Sequence, residues 1–354
     1  MMDKIKVLVV DDSAIVRDII SSEINKQPDM EVVGVAVDPY VARDKIVKFK
    51  PDIITLDIEM PRMDGLTFLE KLMHYYPLPV IIVSSITTQD KTAAIKALEL
   101  GAFDVVNKPS GAYSVSEVIT EIITKIRNAY ESRDIFLKKW KDVSTSLASK
   151  EKQKKRYILS ELKATDKLIA IGASTGGTVV IEYILSRLPK NLPPIVITQH
   201  MPEGFTCQFA KRLNDLSELQ VKEVEDEEIL VTGMAYIAKG GKHFTLERSG
   251  NLFKAKWFDG EKVHFQKPAV DVMFKSVAEV AGKNALGILL TGMGKDGAEG
   301  LLAMKNNGAM TIAQDEKSSI VWGMPGSAVQ IGAATQVLPP DKIIEKIVEF
   351  ASQT

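Results

Sequence analysis

Apolar residues switch between two periods from the start of the chain. Val7 to Val10 form a short continuous run, Ile15, Ile19, Ile20 and Ile24 then share one helical stripe, and Glu31 to Val37 returns to an extended pattern. Further runs at Ile53 to Leu56, Val80 to Val83 and Asp104 to Val106 predict strands. Helical spacing fills the gaps at Ala42 to Phe49, Leu66 to Tyr76 and Thr92 to Leu100, and a helix from Ser116 to about Ala129 closes five strand and helix units. Strands apolar on both faces need cover on both, so residues 1–130 are expected to form an α/β domain with a parallel sheet between helices.

From 131 to 165 the periodicity dissolves into a polar stretch with ten Lys or Arg against five Asp or Glu, read as a basic linker. A solvated tether accounts for that charge as well as a binding role does. The pattern resumes over 166–354 as a second α/β domain. Leu168 to Ile171 predicts a strand, followed by a Gly-rich turn and a helix from about Thr178 to Leu188, with further strands at Ile195 to Thr198, Ala285 to Leu290 and Met310 to Ala313. Between Val221 and Phe265 short alternating pieces with turns at Gly240-Gly241 and Gly250-Asn251 suggest antiparallel hairpins inserted into a doubly wound sheet domain.

Composition narrows the function classes. A chain of 354 residues, 45% of them hydrophobic, can build two sizeable cores, yet no apolar run approaches the roughly 20 residues of a membrane-spanning helix. Asp11 and Asp12 directly follow the first apolar run, without a cleavage pattern, so a cytoplasmic protein without membrane insertion is expected. Cys207, the single cysteine, cannot form an internal disulfide, and the four histidines are scattered, which argues against structural zinc. A net charge of -1 gives no electrostatic case for nucleic acid.

Candidate chemistry sits at the carboxyl ends of predicted strands, where open parallel sheets bind ligands. Asp11 and Asp12 end the first strand, Asp57 the third, Ser84 the fourth and Lys108 the fifth. A lone Asp after a strand is usually a helix cap, but five polar groups at four strand ends form a site. Converging carboxylates of this kind suit Mg²⁺. With Asp57 in LDIEMPRMDGL and Lys108 in an Asn-Lys-Pro turn, residues 4 to about 128 resemble the receiver domain of two-component response regulators, a (βα)5 flavodoxin-like fold. The resemblance implies that Asp57 accepts a phosphoryl group from a histidine kinase. It also implies Mg²⁺ held by Asp12, Asp57 and the backbone carbonyl of Glu59, with Asp11 supporting it and Ser84 and Lys108 serving the switch. Val105 stands where many receivers carry an aromatic residue, implying a different relay of the signal.

In the second domain, Ser174 within Gly172-Ala-Ser-Thr-Gly176 fits the G-x-S-x-G turn that exposes a nucleophilic hydroxyl above a sheet. His200 follows the strand PPIVIT, and Asp296 ends GILLTGMGKDG, so a nucleophile, a base and an orienting carboxylate come from one sheet edge. Their chain order matches none of the familiar hydrolases, so the triad rests on geometry. The amides of Thr175 and of Met293 in the Gly292-Met-Gly294 turn are candidates for an oxyanion hole. A competing reading treats Gly292 to Gly297, with Asp315 after the next strand, as a dinucleotide cradle, although Asp296 would place a carboxylate inside it. A regulator whose output domain only binds a nucleotide or nucleic acid is the other alternative.

Ile169 to Gly177, TQHMPEGF at Thr198 to Phe205 and LTGMGKDG at Leu290 to Gly297, together with the order receiver, linker, esterase, resemble the chemotaxis protein-glutamate methylesterases of the CheB family. That resemblance implies phosphorylation-activated hydrolysis of glutamate γ-methyl esters on chemoreceptors, with methanol released, and deamidation of certain receptor glutamines. Ser174, His200 and Asp296 fall on the family's triad, and Thr175 and Met293 on its oxyanion positions; no cofactor is expected at the esterase site. Gly326 and Ser327 stand where some relatives have Arg-Glu.

Overall fold

The computed structural model describes residues 4–85, 88–108, 115–138 and 166–353. The chain divides into two units, Met1–Val143 and Ser144–Thr354. In the first, β1 (Ile5–Val10), β2 (Met30–Ala36), β3 (Ile53–Leu56), β4 (Val80–Ser84) and β5 (Asp104–Asn107) form one parallel sheet in the order β2-β1-β3-β4-β5. Helices α1 (Ala14–Asn25), α2 (Pro39–Phe49), α3 (Gly65–Tyr75), α4 (Thr88–Glu99) and α5 (Val115–Glu131) follow the strands in turn. The inner strands are buried along almost their whole length, which explains their unbroken apolar runs. Ser13, Asp38 and Asp64 start α1, α2 and α3 by accepting backbone N–H groups of the first turns, so three polar residues flanking strands serve as caps.

The first unit runs further than its polar composition suggests. After α5 a helical stretch, 133–138, carries Phe136, which is buried and stacks edge-on against Phe103 with ring centroids 5.2 Å apart. One aromatic anchor among charged neighbours is too sparse a signal for periodicity to find. The rest of the expected linker, 139–165, lies outside the described residues, as does Pro109.

In the second unit, β6 (Leu168–Ala173), β7 (Ile195–Gln199), β8 (Gln220–Glu223), β9 (Met234–Ile237), β12 (Ala285–Leu289), β13 (Met310–Gln314) and β14 (Gln336–Leu338) build a seven-stranded parallel sheet in the order β14-β13-β12-β6-β7-β9-β8. In the segment expected to hold antiparallel hairpins, β10 (His243–Ser249) and β11 (Leu252–Phe258) form one, and an isolated antiparallel bridge between Val263 and Gln266 closes a further tight turn. Strands β8 and β9, four residues each, extend the parallel sheet instead; such short alternating pieces do not reveal their pairing direction. Helices α6 (Gly177–Leu185), α7 (Phe205–Leu216), α8 (Val270–Ala281), α9 (Ala298–Asn306), α10 (Met324–Gln330) and α11 (Pro340–Ser352) complete the unit.

Both sheets change winding direction beside their first strand. Val10 lies opposite Leu56 in the first, and Gly172 lies between Leu289 and Thr198 in the second, so the residues that follow these positions meet at one edge. The placement of Phe136 has a direct consequence for stability. Phe136→Ala should destabilise the first unit by about 3 kcal/mol, as for a buried aromatic. Urea unfolding of the two variants measures it, and a side chain on a solvated tether would show no change.

Candidate active site

Ser174 leaves the end of β6 and His200 the end of β7, where the His200 amide donates to the Ala173 carbonyl at 3.0 Å. The Ser174 amide donates to the Thr291 carbonyl at 3.0 Å, which joins the nucleophile's turn to the loop after β12. That loop must come close: a Cβ on Gly292 would lie 2.7 Å from the Ser174 Cβ. The His200 ring is buried, with Nε2 2.7 Å from Asp296 Oδ2. Asp296 in turn accepts the amides of Val270 at 2.7 Å and Asp271 at 2.9 Å, the first two residues of α8. Burial pushes the Asp296 carboxyl up, but the imidazole's hydrogen bond and charge, with the two amides, hold it net below the usual carboxylate range.

An ionised carboxylate only accepts, so His200 Nε2 carries a proton, and in the neutral imidazole this leaves the Nδ1 lone pair for a base's task. Among the described residues no hydrogen bond joins Ser174 Oγ to the His200 ring. Such contacts tighten in the substrate complex.

The two amides singled out for an oxyanion hole are oriented from behind. In a trans peptide the N–H points opposite to the carbonyl of the preceding residue. The Ser174 carbonyl is clamped by the Gly177 amide at 2.7 Å and by Gln199 Nε2 at 2.9 Å, which fixes the direction of the Thr175 N–H. The Gly292 carbonyl accepts the amides of Gly323 at 3.0 Å and Met324 at 2.8 Å, which fixes the Met293 N–H in the same way. Thr291, wholly buried, ties both turns together: its hydroxyl lies 3.0 Å from the Thr175 carbonyl and accepts the Val321 amide at 2.9 Å. Gln199 also reaches the His200 carbonyl, at 3.1 Å. Sequence reasoning missed Gln199 and Thr291. Their one signal was polarity at the ends of otherwise apolar strands.

Asp271 and His264 form a second layer behind Asp296. Asp271 Oδ1 accepts the Gly300 amide at 2.6 Å and Oδ2 pairs with His264 Nε2 at 3.0 Å. Burial and the nearby Asp296 charge raise the Asp271 carboxyl against the pull of the Gly300 amide and His264. Gly292 to Gly297 does not match a dinucleotide cradle, because Asp296 spends its oxygens on His200 and the α8 amides while Asp315 caps a local turn through Ser318.

In the first unit Asp11, Asp12 and Asp57 present carboxylate oxygens within 4.8 Å of one another, with Asp11 and Asp57 buried and Asp12 exposed. Lys108 Nζ lies 2.7 Å from Asp57 Oδ2 and 3.0 Å from Asp11 Oδ2. Burial pushes the Asp57 carboxyl up to about 6; Lys108 opposes this and the Asp11 charge adds to it. Burial opposes the charge on Lys108, but the two carboxylates outweigh it and raise its pKa. Among the described residues the buried Ser84 Oγ has no hydrogen-bond partner, and the Lys108 amide donates to the Ser84 carbonyl at 2.7 Å. Asp57 Oδ1 accepts the Glu59 amide at 3.3 Å. Gly65 permits this packing, since a Cβ there would stand 2.3 Å from the Asp57 carbonyl oxygen. Val105 is buried in the core.

Comparison with known proteins bears on both units. Residues 169–347 match the CheB methylesterase family and residues 7–120 match the response regulator receiver domain. The protein-glutamate methylesterase/protein-glutamine glutaminase 2 of Syntrophus aciditrophicus is 52% identical over 349 residues, covering 99% of this chain and all of that protein. The protein-glutamate methylesterase/protein-glutamine glutaminase of Salmonella typhi is 49% identical over 351 residues, covering 98% and 97%. The crystal structure of the Thermotoga maritima CheB methylesterase catalytic domain, 41% identical, superposes with a TM-score of 0.51 and covers 54% of this chain and 99% of that one. With a receiver domain, a methylesterase domain and full-length relatives of about half-identical sequence, the chain belongs to the CheB methylesterase family.

Proposed function

We propose that this enzyme hydrolyses glutamate γ-methyl esters on chemoreceptors through Ser174, His200 and Asp296. The observation that carries the assignment is the 2.7 Å contact between His200 and an ionised Asp296, at the sheet edge that also presents Ser174. Ser174 Oγ attacks the ester carbonyl while His200 Nδ1 takes its proton. The tetrahedral oxyanion forms against the Thr175 and Met293 N–H groups. His200 then returns the proton to the methoxy oxygen, and methanol leaves. Water attacks the acyl-enzyme with His200 again as base, which yields glutamate and free Ser174. The same cycle on a glutamine side chain expels ammonia and accounts for a glutaminase activity.

Control enters at Asp57, the phosphoacceptor for a chemotaxis histidine kinase. Asp11, Asp12, Asp57 and the Glu59 carbonyl would hold Mg²⁺. An under-compensated pair of buried carboxylates and a buried Ser84 hydroxyl without a partner fit such an ion with a phosphoryl group. Bound there, the ion supplies charge neutralisation for the incoming phosphoryl group. Lys108 and Ser84 then sense the modified Asp57. Among the described residues no helix is long and apolar enough to cross a membrane, and the proposed location is the cytoplasm, where receptor signalling segments and kinase are met.

Ser174→Ala, His200→Ala and Asp296→Ala are each expected to lower methanol release from methylated receptor membranes at least about a thousandfold, as triad members act as a unit. Near wild-type release by Ser174→Ala would remove the nucleophile assignment. Gln199→Leu, which frees the peptide bearing the Thr175 amide, should cost about a hundredfold in kcat with the fold retained by circular dichroism. Asp57→Asn is expected to block phosphoryl uptake from a small-molecule donor and to leave the full-length enzyme at its basal rate. Chelation of Mg²⁺ should do the same to the unmutated chain. Equal stimulation of Asp57→Asn and wild type by the donor would exclude Asp57 as the switch.

A further inference from the structure

The segment joining β11 to α8 ends in a turn that the triad does not use. Val263 and Gln266 bond each other through both amides, at 3.1 and 2.9 Å, leaving His264 and Phe265 as the two central residues of a tight hairpin turn. Both stand in the left-handed region, at φ 51° and 63°. Such turns ordinarily take Asn-Gly or Asp-Gly, because a Cβ at positive φ is disfavoured and a bulky ring most of all.

The turn is nevertheless held. His264 Nε2 pairs with Asp271 Oδ2 at 3.0 Å, and the Asp271 amide donates to Asp296 at 2.9 Å, so two contacts separate the turn from the triad carboxylate. Phe265 gains no core packing from this conformation. It is 83% exposed, the most exposed large apolar side chain among the described residues. The neighbouring Lys267 is paired with Asp259 at 2.6 Å, which leaves the aromatic ring as the distinctive chemistry of the tip. A strained backbone that places an apolar ring in water, on a turn whose His264 lies within 4.8 Å of the Asp296 carboxylate, fits an encounter outside the free molecule.

We propose that Phe265 is a substrate-contact residue that packs against the apolar surface flanking the glutamyl ester on the receptor. The proposal rests on the methylesterase reading above. A methyl ester offers few atoms for recognition, so affinity for a protein substrate must come from the residues around it. An aromatic ring with two rotatable bonds, held in place by the backbone, loses little entropy on docking. The occupant is a protein surface already required by the reaction, and the anchored turn is the feature of this chain that would meet it.

The test is a comparison of Phe265→Ala, Phe265→Gly and Phe265→Trp in the full-length chain, activated by a small-molecule phosphodonor. Methanol release from methylated receptor membranes gives kcat and KM; hydrolysis of a small activated ester and the rate of fluorophosphonate labelling at Ser174 report on the triad alone. Phe265→Ala and Phe265→Gly are expected to raise KM for the receptor about tenfold while small-ester turnover and labelling stay within about twofold, and Phe265→Trp should keep wild-type KM. Phe265→Gly should also leave the melting temperature undiminished, since it relieves the positive φ. Equal losses on receptor and small ester would overturn the proposal, because the turn would then act through Asp271 on the triad. Unchanged KM for the receptor would overturn it as well. If the unmutated chain labels at Ser174 but releases no methanol from receptors, the methylesterase reading falls and this proposal falls with it.

Discussion

A buried carboxylate that must stay charged governs the catalytic unit. Burial alone would neutralise Asp296, and a neutral acid would donate a proton to His200 and reverse its tautomer. The His200 imidazole opposes this first, and the two leading amides of α8 add to it, so the helix has to arrive end-on at Asp296. Space for that approach is made by glycine. The Val270 side chain would collide with a Cβ on Gly172, at 2.2 Å, and with one on Gly297, at 2.6 Å, where φ of 86° independently requires glycine. Small residues at the ends of β6 and of the loop after β12 are thus the steric condition for an electrostatic requirement.

The receiver uses the same edge of the same kind of sheet with opposite electrostatics. Asp11 accepts the Ser13 amide at 2.8 Å and Asp57 the Glu59 amide at 3.3 Å, and a lysine is shared between the two; for Asp57 burial still outweighs these and leaves a pKa of about 6. In the esterase every carboxylate oxygen of Asp296 has a donor, which fixes a geometry for repeated turnover. In the receiver three carboxylates lie together with one lysine shared between two of them, and among the described residues the buried Ser84 hydroxyl has no hydrogen-bond partner. A site whose oxygens are all bonded suits repeated turnover, and one with spare charge and a spare hydroxyl suits a change of state.

Much of this was legible in the chain because parallel strands buried on both faces are apolar throughout, so a polar residue at a strand end stands out. Asp11, Asp57, Ser174 and His200 are such residues, Asp296 lies in the loop after β12, and the sheet order brings them together in two groups. The features that escaped have other origins. Phe136 is a single apolar residue among charges, β8 and β9 are too short to show their pairing, and Gln199 and Thr291 act through carbonyls of neighbouring turns. A hydrogen bond to a backbone atom depends on chain path, which side-chain patterning does not record. The turn at His264 and Phe265 escaped for a further reason: it runs against the local preferences from which turns are read.

The way the two amides proposed for the oxyanion are held places a limit on what the core of the site can recognise. Each N–H is directed by bonds to the carbonyl on the far side of its own peptide, and the groups making those bonds come from the end of β7 (Gln199), the start of α6 (Gly177) and the start of α10 (Gly323 and Met324). On the proposed mechanism, a site built this way is complementary to a tetrahedral oxyanion at any acyl carbon that reaches Ser174, whatever carries it. Discrimination between one protein ester and another must therefore come from surfaces outside that rigid set. The segment from the β10–β11 hairpin to α8 is attached to the triad through Asp271 yet contributes no atom to the acyl-transfer chemistry, so it can vary in its exposed residues while the catalytic geometry remains the same.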